Sequence, residues 1–81
     1  MAGYHKADIK RGVFGDFSKI KEEFEEAEDA FEQDNKVMLL IELSDLIGAI
    51  EEFASKYNME LEDLIVMKDA TKRAFRDGSR K

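Results

Sequence analysis

Apolar residues recur along this chain at helical intervals, in three blocks divided by short polar breaks. Ile20, Phe24, Ala27 and Phe31 mark the first block, which predicts a helix from Phe17 or Ser18 to Phe31, capped by Asp16 or Ser18. Gln33-Asp34-Asn35 breaks the pattern, with Asp34 or Asn35 as the next cap. The second block, Lys36 to Tyr57, is apolar nearly all round. Leu39, Leu43, Leu46, Ile50, Phe53 and Tyr57 form one stripe, and Val37, Leu40, Ile41 and Ile47 widen it. Such a helix spans roughly 30 Å and needs more cover than two neighbours of this size supply, so self-association is expected. Lys56-Tyr57-Asn58-Met59 makes the second turn. A third helix follows from Glu60 to Arg76, acidic in its first turn, basic in its last, and ended by Gly78. No strand is predicted. The expected fold is all-α: an N-terminal arm over 1–15, then a single helical domain over 16–81 with three helices, assembling as a dimer or dimer of dimers.

Composition narrows the chemistry. The chain has 81 residues, no cysteine, no proline and one histidine. Disulfides, thiolate zinc sites and thiol nucleophiles are thereby excluded. No apolar leader is visible, and the longest apolar run, Val37 to Ile41, is far short of the ~20 residues of a spanning helix. A cytoplasmic protein without membrane contact is expected. The net charge of −6 is unevenly spread: +2 over 1–15, −12 over 16–65 and +4 over 66–81. That acidic middle argues against duplex nucleic acid, whereas the basic ends can grip a small polyphosphate.

Two acid pairs stand apart from the rest. Glu22, Glu25, Glu28, Asp29 and Glu32 fall opposite the first apolar stripe, on a face expected to be solvated. Glu23 and Glu26 instead fall at about −60° and −120° from Ile20, along one flank of the stripe. Glu42 and Asp45 repeat this geometry about Leu39, and Leu39, Leu43, Leu46 and Ala49 surround Glu42 closely enough to bury it. Side-by-side packing would bring four carboxylates together. Two of them ~5 Å apart repel by roughly 3 kcal/mol at an effective dielectric of ~20, so they must take up protons, pair with cations or bind a hard metal. Oxygen ligands favour magnesium, manganese or calcium, and the lone His5 argues against a Glu-x-x-His di-iron site. The competing reading is a structural one, with the acids salt-bridged to Lys36, Lys68 or the tail arginines.

Glu23-Phe24-Glu25-Glu26, fifteen residues, then Glu42-Leu43-Ser44-Asp45 resembles the ExxE…ExxD pattern of the MazG-like all-α nucleotide pyrophosphohydrolases. Met67-Lys68-Asp69-Ala70-Thr71-Lys72-Arg73-Ala74-Phe75, with Gly78 and Arg80, is similar to their short, phage-type branch. The resemblance implies a homodimer or homotetramer that hydrolyses nucleoside triphosphates to monophosphate and pyrophosphate. It implies Mg2+, with Mn2+ as a substitute, held by Glu23, Glu26, Glu42 and Asp45, and Glu22 as an outside candidate. Many relatives carry an asparagine on the last helix where this chain has Thr71.

Anhydride hydrolysis needs neutralised phosphates and an activated water. Glu23 or Glu26 is the candidate base. Lys68, which the helical spacing turns toward the bundle, is the leading phosphate contact or else a snorkelling side chain. Lys10, Arg11, Arg73, Arg76 and Arg80 can reach phosphates across a dimer interface, and Tyr4, Phe14 or Phe17 can stack on a base, although Phe17 also fits the core. The alternative class is a non-enzymatic helical interaction module, either inhibitor- or antitoxin-like or a metal-stabilised structural dimer.

Overall fold

A computed structural model describes residues 5–78. Three helices follow an extended arm: α1 (Phe17–Glu32), α2 (Lys36–Ala54) and α3 (Leu61–Arg76), with a 3-10 turn, Ser55–Tyr57, ending α2. Among the described residues there is no strand. Each helix starts where local chemistry supplies a cap. The Asp16 carboxylate accepts from the Ser18 amide (3.1 Å) and hydroxyl (2.6 Å), and Asn35 Oδ1 accepts from the Met38 amide at 3.1 Å. Asp63 closes back on the Glu60 amide at 2.9 Å. Asp34 and Asn58 take the left-handed conformation that turns the chain between helices, and a left-handed Gly78 follows α3.

α1 and α2 pack side by side along their lengths, whereas α3 makes far less contact with α2 and none of its residues is fully buried. The α1–α2 seam departs from the predicted stripes. It runs through Glu23, Ala27 and Ala30 on α1 and through Met38, Glu42, Ala49 and Ala54 on α2. Small alanines let the two backbones approach, and the bulky Phe24 and Phe31 turn away to 55% and 69% exposure. With Phe17, itself exposed but edge-on to Phe53 with ring centroids 5.5 Å apart, they form a line spaced by sevens down one side of α1. Val37, Leu40, Ile41 and Ile47 form a second exposed apolar strip on α2.

Consequently the chain is spread out. Its radius of gyration is 14.6 Å, against about 12 Å for a compact chain of this length. Its accessible surface is 6292 Å², against roughly 5,000 Å² for a compact monomer of this mass. Among the described residues, no helix is long and apolar enough to cross a membrane.

Candidate metal centre

The middle of the α1–α2 seam is acidic. Glu42 is the largest fully buried side chain, at 1% exposure, and Glu23 is buried opposite it. Three overlapping groups of ligand atoms, each mutually within 4.8 Å, link the cluster: His5, Glu26 and Glu42; Glu22, Glu23 and Glu26; Glu23, Glu42 and Asp45. The four carboxylates that the two acid pairs supply therefore lie in one connected cluster.

Two cations offset part of this charge, and neither is one of those expected for a structural pair. Lys19, one helical turn before the first acid pair, reaches Glu22 at 3.1 Å and Glu23 at 3.0 Å. The arm brings His5, whose Nδ1 lies 2.8 Å from Asp29 Oδ2 and whose Nε2 lies 3.0 Å from Glu42 Oε2 and 4.0 Å from Glu26 Oε1. Burial alone would lower the His5 pKa, but hydrogen bonds to Asp29 and Glu42 and the nearby carboxylates together raise it above 6.5. Glu26 goes the other way from a normal carboxylate. Burial, the charge of Glu23 and a hydrogen bond with Glu42 push its carboxyl up to about 7. Glu23 Oε1 is buried and has no hydrogen-bond partner, so one oxygen at the centre of the cluster is available to a ligand.

Glu22 and Asp29 correct the sequence reading. Both were expected on a solvated face, yet both are buried, because the arm lies across that side of α1. The Gly12 amide donates to Glu22 Oε1 at 2.8 Å. Asp29 accepts from the Lys6 and Ala7 amides, each at 3.1 Å, from Gln33 Nε2 at 2.9 Å, and from the His5 ring. The hydrogen bond from His5 does most to lower the Asp29 pKa, and the arm amides add to this. Lys19 was missed, although its place three and four residues before Glu22 and Glu23 is a signal that could have found it. His5 left no such signal, since 24 and 37 residues separate it from Asp29 and Glu42.

The basic residues expected to meet phosphate fall into two places among those described. Arg11 lines a cleft with His5, Asp8, Glu22 and Glu26, at the rim of the acid cluster. Lys68 sits in a groove with Ile47, Ile50, Leu61, Leu64 and Ile65, its amine 2.7 Å from Asp69 and largely exposed. Its stem thus lies on apolar surface with its head in water. Thr71 shares a neighbouring groove with Lys68, Lys72, Phe75 and Arg76, and Arg73 is exposed on the same helix. Tyr4 and Arg80 lie outside the described residues. Compared with known proteins, the chain matches no family model, no curated protein and no solved structure.

Proposed function

We propose that this chain is a magnesium-dependent nucleotide pyrophosphohydrolase, cleaving nucleoside triphosphates to monophosphate and pyrophosphate as a homodimer or dimer of dimers. The observation that carries the reading is the connected cluster of Glu23, Glu26, Glu42 and Asp45, with a buried Glu23 oxygen that nothing else satisfies. A helical chain of this size has no stability reason to set glutamates at the centre of the α1–α2 contact, since ionised groups there cost several kcal/mol each unless compensated.

The donor set fits a hard divalent cation, with Glu23, Glu26, Glu42 and Asp45 as the residues to hold it. When bound, such an ion neutralises phosphate charge and acidifies a water. Glu26 or Glu23, whichever keeps an oxygen off the ion, would take the water's proton. Lys19 holds Glu22 and Glu23 in place, and Arg11 at the rim offers a bidentate cation to phosphate oxygens. Lys68, Thr71 and Arg73 would meet the nucleotide only where α3 is brought to the acid cluster by assembly. The excess surface supports that assembly: about 1,300 Å² above a compact monomer exceeds the roughly 800 Å² per partner of a standard interface.

The test is a panel of nucleoside triphosphates with magnesium, separating monophosphate and pyrophosphate from diphosphate and phosphate. Monophosphate and pyrophosphate are expected. Diphosphate and phosphate, or no turnover by a folded, magnesium-saturated oligomer, would overturn the reading. The exposed phenylalanine line also suits a helical interaction module, and Glu42→Ala divides the two. A hydrolase loses turnover with its fold retained, whereas an interaction module tolerates the change or is stabilised.

A further inference from the structure

The geometry points to His5 as an additional metal ligand, which makes the centre a mixed nitrogen–oxygen site selective for first-row transition dications such as Mn2+ or Co2+ over Mg2+. This rests on the metal part of the reading above and not on the reaction catalysed.

Three observations converge on it. His5 has a side chain 7% exposed, and its Nε2 belongs to one ligand-sized group with Glu26 and Glu42. Its other nitrogen, Nδ1, is 2.8 Å from the Asp29 carboxylate. A carboxylate that fixes the far nitrogen of an imidazole is the usual support of a metal-bound histidine, setting its tautomer and aiming Nε2. Asp29 is itself fixed by the Lys6 and Ala7 amides and by Gln33, so the ring is held against rotation. Finally, Glu23 Oε1 is buried without a partner in the same cluster, an independent sign that the centre is built to take a ligand.

The 3.0 Å between His5 Nε2 and Glu42 Oε2 suits two roles. It is a hydrogen-bond length while Nε2 carries a proton. It is also close to the edge of an octahedron with bonds of about 2.1 Å, which is roughly 3.0 Å. An entering ion replaces the Nε2 proton, which leaves to solvent, and needs little movement of either side chain. One imidazole among carboxylates shifts preference away from magnesium, which demands oxygen, toward later divalent metals.

The single histidine makes the test unambiguous without any mutation. Full-length protein without a histidine tag, labelled with 15N-histidine or unlabelled, is loaded with Mn2+ and its electron spin-echo modulation recorded. A nitrogen coupling that changes from the 14N to the 15N pattern is expected. Isothermal titration of wild type and His5→Gln with Mn2+, Co2+ and Mg2+ gives the second readout. The variant should bind Mn2+ and Co2+ about 10–100-fold more weakly, scaled from the known effect of disturbing ligand support, with a smaller loss for Mg2+. Mn2+ bound without histidine nitrogen coupling would overturn the His5 assignment and leave the metal centre standing. Tighter metal binding by His5→Gln would likewise overturn it, marking the ring as a plug. No binding of any of the three ions would overturn both the assignment and the metal reading. If His5→Gln does not fold, the isotope experiment decides alone.

Discussion

Glu26 and His5 both hold protons more tightly in the folded chain than outside it. Glu26, with a carboxyl raised from 4.5 to about 7, binds more protons folded than unfolded across that interval, so stability falls as pH rises through it. His5, raised from 6.5, acts in the same sense. Its contribution is complete below 6.5 and is lost as pH climbs through the folded value. Asp29, lowered from 3.8, favours the fold as pH rises, but only in the acid range below this window. Metal-free protein is therefore expected to melt at a lower temperature at pH 8 than at pH 5, and thermal scans in chelator check this. A melting temperature that climbs with pH would contradict the packing of Glu26 against Glu23 and Glu42. Asp45 supplies the complementary prediction. It is exposed, near Glu23 and Glu42, and makes no ion pair among the described residues. Asp45→Asn is expected to leave metal-free melting unchanged or raised and to cost at least ~10–100-fold in magnesium-dependent hydrolysis. A destabilised apo protein with undiminished turnover would refute the metal role.

The arm is an element without regular structure, yet it decides which acids are buried. At Gly12 it lies so near α1 that a Cβ would collide with the Ser18 carbonyl. Gly12→Ala must therefore lift the arm and weaken its bond to Glu22. The Lys6 and Ala7 amides, bonded to Asp29, should then exchange with solvent roughly fivefold faster or more, the size of one lost hydrogen bond. Helix content should hold. Hydrogen exchange measured residue by residue separates this local release from general unfolding. The same element marks the limit of sequence reading. The three helices were legible because their apolar periods and caps are local, and Glu42 was legible as buried because leucines surround it. The rotation of the seam onto Met38, Glu42 and Ala49 was not, because two apolar faces compete on α2 and the alanines of α1 settle the choice by close approach. Glu22 and Asp29 were misplaced for a different reason. A segment with no period covers them, and periodicity carries no information about where such a segment lies.

At the scale of the molecule, the exposed line of Phe17, Phe24 and Phe31 and the strip from Val37 to Ile47 support the proposed assembly. Sedimentation at low micromolar concentration is expected to show no folded monomer. Phe24→Glu, which sets a charge in the middle of that line and outside the α1–α2 seam, should move the population to monomer or to unfolded chain. A compact, stable monomer of the unaltered protein would exclude the assembly.

No residue of α3 is fully buried within its own chain, and a helix of sixteen residues is marginal in water by itself. In the assembly proposed above, its order is tied to whatever it rests against. Lys68, Thr71 and Arg73 ride on this helix, so under the proposed function nucleotide affinity and subunit affinity become one linked quantity. Assembly that tightens nucleotide binding by some factor must itself be tightened by nucleotide to the same factor. Diluting the protein should then lower its turnover per chain, and saturating nucleotide should restore it by drawing the subunits together.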